Sequence, residues 1–482
     1  MRSILCTAML LSAMAITAPL HAAPLSDSEA KALEASVDAL GPKLSTVAHD
    51  IWSYAEVGFK ETKSTAELQK ELRDAGFRVE TGISGIPTAF VATAGSGGPV
   101  IALLAEYDAL PGLSQDATPD QKSLGGIAGH ACGHNLLGAA SVTAAIALKQ
   151  WLALNGIKGT IRVYGSPAEE GGFSKVYFVR NGLLRDVDAV LSWHPGDSNN
   201  AAQAQLMSVI SAKFRFHGIA SHAAVAPERG RSALDALEIH DVAVNFLREH
   251  VPEGTRIHYT ITDGGDQPNI VPAHAESFYY IRHYDPSVVQ DVWDRVQKAA
   301  QGAALATGTT VSVEVVGGSY GDLPNDVLGQ IVDANLRRVG GYTYTPKEAA
   351  YAKAIAATLP NRTVASDPTQ IAPYEKGRKV PASSDVGDIS WTVPTSSLGT
   401  ATWVSGTSPH SWQAASASGT SIGIKGAIIA AKTLALTGAE LFRSPDLLKA
   451  AKAELAQRQG PNFVYRPLLG DRKPPLDYTE RK

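Results

Sequence analysis

From residue 209 the chain reads as strand (209–216), helix (231–250), strand (256–262), strand (276–283), helix (286–304) and strand (309–315). That β-α-β-β-α-β order is a complete ferredoxin-like unit, and little else will accommodate it. The flanking segments follow a different rhythm. Upstream, β-rich runs at 100–105, 160–164 and 187–192 alternate with helical stretches at 65–75 and 141–154, which predicts an α/β core with flanking helices around a central sheet. Helical patterns at 326–339 and 422–436 resume that core after the unit. The unit is therefore expected as an insertion. The expected boundaries are 24–208 and 319–459 for the split core, 209–318 for the inserted α+β domain, and 460–482 for a Pro-rich, charged tail that wraps the surface.

Residues 1–23 are read separately. Arg2 is their only formal charge, 4–16 is almost wholly apolar or small, and Leu20-His21-Ala22-Ala23 resembles a cleavage site, so a secretory signal peptide and an exported, periplasmic or secreted, mature protein are expected. Its apolar run is shorter than the ~20 residues of a membrane span. No later segment reads as a span, and no membrane anchor is expected. With 43 basic against 47 acidic residues, a net charge of -4 and no block of Lys or Arg, the chain is not expected to bind nucleic acid.

Of two cysteines, too few for a disulfide framework, only Cys132 lies beyond the leader. A lone thiol in an oxidising compartment is at risk unless it is buried or occupied. Cys132 stands in Gly129-His130-Ala131-Cys132-Gly133-His134-Asn135, where Cys132 and His134 would project to one side of an extended segment. Thiolate and imidazole both bind zinc-like ions.

Further ionisable residues follow the other strands. The run 100–105 empties into Glu106-Tyr107-Asp108, 160–164 into Glu169-Glu170-Gly171-Gly172, and 187–192 into Trp193-His194-Pro195. Those are carboxyl ends of strands, where open α/β sheets place ligand sites. On an extended turn the adjacent Glu169 and Glu170 would point in opposed directions. One can then bind a metal while the other faces a water, the two functions that amide hydrolysis requires. His410, in Gly406-Thr407-Ser408-Pro409-His410, is a candidate fifth ligand from the second half of the core. By spacing alone, His222 reads as a turn or capping residue, Asn269 as a turn former and Arg282 as a surface charge.

Taken together, the segments EYDALPG, GHACGHN, PAEEGG, SWHP, GIASHAA, SDVGDISW and GTSPHSW resemble the dinuclear-metal aminoacylase and carboxypeptidase family of amidohydrolases. Within it the likeness is to the branch of p-aminobenzoyl-glutamate and indole-acetyl-amino-acid hydrolases. The resemblance implies two divalent ions per subunit, zinc or manganese, held by Cys132, His134, Glu170, His194 and His410, with Glu169 as catalytic base. It further implies that His222 reaches the facing subunit's site to stabilise the oxyanion, that Asn269 and Arg282 grip the substrate carboxylate, and that Asp108 supports the ligands from behind. A homodimer through the inserted lid, with a possible paralogous subunit, is implied too. Glu106 stands where many members carry a metal-binding histidine, and Asn135 where the cysteine-bearing branch often has aspartate. The expected activity is hydrolysis of N-acyl amino acids, p-aminobenzoyl-glutamate-like. Alternatives are a general aminoacylase or dipeptidase, or a non-catalytic exported metal- or peptide-binding protein.

Overall fold

The computed structural model describes residues 25–360 and 367–480, so the expected leader lies outside the described residues. Helix α1 (Asp27–Tyr54) starts at a capping box in which Ser26 and Glu29 satisfy each other's backbone N–H groups. After α2 (Thr62–Asp74) come strands β1 (Arg78–Thr81), β2 (Phe90–Ser96) and β3 (Val100–Ala105). Helix α3 (His134–Leu154) then leads to β4 (Gly159–Gly165) and β5 (Ala189–Leu191). The inserted unit runs β6 (Ser208–His217), α4 (Ala233–Leu247), β7 (Arg256–Asp263), β8 (His274–His283), α5 (Pro286–Thr307) and β9 (Thr310–Ser319). The chain returns through α6 (Asp326–Val339), α7 (Pro346–Thr358), β10 (Thr395–Ser396), α8 (Ser421–Arg443) and α9 (Pro445–Gln459).

Two sheets result. The larger has the order β1-β2-β4-β3-β5-β10, parallel from β4 to β10 and antiparallel at the β1-β2-β4 edge. The smaller is antiparallel throughout, β7-β8-β6-β9, with α4 and α5 packed on it around Phe214, Phe216, Tyr279 and Trp293. This is the expected α/β core with a ferredoxin-like insertion.

Parallel strands need both faces covered. One face of the large sheet carries α1, α3 and α8, with Leu136, Leu137, Leu148, Ala430 and Leu434 among its fully buried residues; the other carries Tyr164, Val176, Tyr177 and Phe178. Helices α3 and α8 are long and apolar enough to span a bilayer, contrary to the sequence reading that no later segment is, but both are mostly buried and pack in this core.

Helix α3 begins earlier than the 141–154 reading, at His134, so Cys132 and His134 do not share an extended segment. Gly133 caps it in the left-handed region at φ 77°, and a Cβ there would lie 2.7 Å from Pro195. One turn on, a Cβ at Gly138 would sit 2.7 Å from the Glu106 carbonyl and 3.0 Å from Leu68. The helix that carries His134 is thereby pressed against the end of β3. Gly138→Val should overpack this contact, lowering unfolding free energy by ~1–3 kcal/mol in urea titrations. Wild-type stability would show that the approach is not tight.

Candidate metal centre

Five donor residues converge at the carboxyl ends of β3, β4 and β5. Cys132 precedes α3 and His134 is its first residue; Glu169 and Glu170 open the turn after β4. His194 starts a two-stranded parallel pairing with Gly399–Ala401 of the resumed core. His410, left-handed at φ 59°, donates its N–H to the Ala131 carbonyl at 3.0 Å, which ties the second half of the core to the Cys132 loop. Ligand atoms of Cys132, His134 and His194 lie within 4.8 Å of one another, and so do those of Cys132, Glu170 and His410. These two groups share Cys132 and together use all five residues that the sequence singles out as ligands.

The tautomers suit cations. His134 Nδ1 donates to Asp108 Oδ1 at 2.9 Å, so Nε2 carries the lone pair; it is buried and has no hydrogen-bond partner. His194 Nδ1 donates to the Pro195 carbonyl at 2.7 Å, leaving its Nε2 3.5 Å from Cys132 Sγ. His410 Nε2 lies 2.9 Å from Glu170 Oε1. Burial pushes the Cys132 thiol up, so a bare site does not favour the thiolate. A cation would, and three imidazoles, a thiolate and a carboxylate are a donor set that two divalent ions fit.

Glu169 offers an oxygen within 4.8 Å of donor atoms of His134 and Glu170. Burial, then the charges of Glu170, Glu106 and Asp385, hold its carboxyl well above the ordinary range, with Lys175 acting the other way. The turn is helical, not the extended one that the sequence suggested. Glu170 (φ -74°, ψ 66°) and Gly171 (φ 100°) depart from helix geometry within it. Asp108 serves both sides, since its Oδ2 also accepts the Glu170 N–H at 3.0 Å.

Three residues at the site carry no role in the sequence reading. Lys175, fully buried, reaches Asp385 Oδ1 at 2.6 Å and Glu106 Oε1 at 2.7 Å. This neutralises Glu106, whose other oxygen is 3.3 Å from His134 Nε2. A lysine opening the apolar run Lys175-Val176-Tyr177-Phe178-Val179 was the available signal. Glu61 Oε1 accepts the Ala168 N–H at 2.8 Å. Asn135, standing where the cysteine-bearing branch often has aspartate, donates to the carbonyls of Ala48 and Ser418 at 3.0 and 3.1 Å, a task that a carboxylate cannot perform.

The lid residues lie apart from this cluster. His222 is exposed, and its Nδ1 accepts the Ala224 and Val225 N–H groups at 3.2 Å, which puts the proton of the neutral ring on Nε2. Asn269 is exposed, its carbonyl accepting from Ala223. Arg282 is half-buried: its Nη1 is 3.3 Å from Ser383 Oγ, its guanidinium stands 5.2 Å from the Tyr280 ring centre, and its buried Nε has no partner.

The model of a peptidase dimerisation domain matches residues 205–307. One of the p-aminobenzoyl-glutamate hydrolase subunits of Escherichia coli (strain K12) is 41% identical over 88% of this chain and 94% of its own length. The Xaa-Arg dipeptidase of Mus musculus is 32% identical over 63% of this chain and 70% of its own. A dinuclear metal-binding peptidase of the M20 family from Bacillus subtilis superposes with a TM-score of 0.59 at 17% identity, over 83% of this chain and 98% of its own. Likeness of that extent, over nearly the whole of a relative at 41% identity, makes this chain a member of the M20 family of metal-dependent hydrolases of amide and peptide bonds.

Proposed function

We propose that the protein hydrolyses the amide bond of N-acyl amino acids with an acidic amino-acid part, p-aminobenzoyl-glutamate-like, after export to the periplasm through the leader at 1–23. The observation that carries the hydrolytic step is Glu169, a half-buried carboxyl beside the ligand Glu170, held well above the ordinary range. Cys132, His134, Glu170, His194 and His410 would hold two divalent ions, zinc or manganese. When bound, the ions supply Lewis acidity, polarising the scissile carbonyl and acidifying the attacking water. Glu169 takes that water's proton and returns it to the leaving amine. Asp108 fixes the His134 tautomer and the Glu170 backbone.

Substrate recognition falls to the lid and the adjoining cleft. Arg282, with its unpartnered Nε, offers the fork of donors that a carboxylate takes, and Asn269 completes the grip. His222, its proton on Nε2, is poised to donate to the oxyanion of a second copy. Exposed Ile239, Val242 and Phe246, spaced three and four apart on α4, support a homodimer through this domain; a paralogous partner subunit fits the same face. A cavity of about 400 Å³ runs from Glu106 and His194 to Arg378, which makes no ion pair among the described residues. That cation favours an acidic side chain. Asp197 and Asp322 line the same cavity and favour a second reading, a dipeptidase for basic residues.

Glu169→Gln should retain two metal equivalents by elemental analysis and lose about 10²–10⁴-fold in kcat. Surviving turnover would assign the base elsewhere. For the cleft, Arg378→Gln should raise KM about tenfold for N-acyl glutamate and leave neutral N-acyl amino acids unchanged, a loss of ~1.4 kcal/mol for a hydrogen bond to a charge. Wild-type protein that prefers dipeptides with C-terminal Arg or Lys would select the second reading.

A further inference from the structure

Beyond Gly460 the chain runs as a strap across the core to the catalytic turn. Tyr320 Oη donates to the Arg466 carbonyl at 2.9 Å, Arg180 Nη1 to those of Gly470 and Arg472 at 3.0 and 2.7 Å, and Tyr177 Oη to that of Lys473 at 3.3 Å. Lys60 pairs with Glu480 at 2.7 Å. Between these anchors Tyr478 turns inward. Its ring meets Phe59 edge-on, with centroids 5.6 Å apart, and its hydroxyl donates to the Glu170 carbonyl at 2.9 Å. Two glycines make room for it: a Cβ on Gly58 would collide with the hydroxyl, and one on Gly171 would lie 3.4 Å from the ring.

The turn it touches has an unusual backbone. Ala168 and Phe173 are both left-handed at φ 55°, on either side of the departures at Glu170 and Gly171. Such conformations persist only where neighbours over-determine them. Here Glu61 holds the Ala168 N–H, Asp108 the Glu170 N–H and Tyr478 the Glu170 carbonyl. The first two clamps arise close to the site in the fold's first half, whereas the third arrives from 308 residues downstream.

We propose that Tyr478 is a positioning residue of the metal centre. By holding the Glu170 carbonyl it fixes the rotation that directs the Glu170 carboxylate to the ions and leaves the Glu169 carboxylate for the water. The inference rests on the roles proposed above for Glu169 and Glu170. Mere anchorage of the strap does not explain the contact, because four other residues already secure it.

Zinc affinity of the full-length metal-free protein, read by competition with a chelating dye, tests this without substrate. Tyr478→Phe keeps the ring against Phe59 and removes only the hydroxyl; its affinity should fall about tenfold, the lower end for loss of a group that orients a ligand. Glu480→Gln, which breaks the exposed strap ion pair, should bind as wild type. At saturating zinc, Tyr478→Phe should lower kcat about tenfold with KM unchanged. Wild-type zinc affinity in Tyr478→Phe, or an equal loss in Glu480→Gln, would overturn the proposal. A wild-type protein that binds zinc but releases no product from any N-acyl amino acid would instead defeat the functional reading, and the affinity comparison would still decide the role of Tyr478.

Discussion

Crowding of carboxylates beside the ends of β3 and β4 governs this molecule. Glu106, Asp108, Glu169, Glu170, Asp322 and Asp385 act on one another's ionisation, and Asp108, Glu106 and Asp385 are almost fully buried. Two like charges 4 Å apart repel by about 4 kcal/mol at an effective dielectric of 20. Burial and neighbouring charge accordingly push Asp385 up to about 6 and Asp322 to about 7. One buried lysine, Lys175, cannot offset this group. Divalent cations would supply the missing charge, so the same acidic residues that weaken a bare site suit it to metal.

Everything around the cluster serves to hold it in that costly arrangement. The start of α3 is fixed by a left-handed glycine against Pro195, by Gly138 on the end of β3, and by the Asn135 amide bridging α1 and Ser418. His194 and His410 are tied to opposite halves of the core by backbone hydrogen bonds to Leu398 and Ala131. Outside the insertion at 209–318, the two core segments meet along the β5-β10 pairing, and the site spans that seam. Neither segment holds the full donor set alone.

Periodicity made the elements legible. The helix at 326–339 agrees with α6 in both limits, and the ferredoxin-like order was readable from strand and helix signals because each element is local. Local backbone detail was less legible. Spacing suggested extended chain at Cys132-His134 and at Glu169-Glu170, yet Gly133 starts a helix and the glutamates sit in a distorted helical turn. The donors themselves could be named because they follow strand ends in short polar motifs. Their supports could not: Lys175 to Asp385 spans 210 residues and Tyr478 to Glu170 spans 308, and no local pattern encodes such contacts. α1 and α7 escaped the sequence reading for a simpler reason, since no functional motif drew attention to their segments.

Where the lid groups sit on the small sheet divides them into two kinds. Arg282 on β8 pairs with Val209, which pairs in turn with Ser319, so Arg282 lies in the row where the chain enters and leaves the insertion. There its guanidinium stands beside Ser383 of the resumed core. His222 and Asn269 occupy the opposite end, past His217, joined to each other's loops by the His222–Ile270 bridge. On the roles proposed above, the carboxylate grip of Arg282 falls where the insertion joins the core, and the donor His222 falls at the far end of the small sheet. The proposed substrate grip and the proposed oxyanion donor thus occupy opposite ends of one sheet, a separation that the strand register alone establishes.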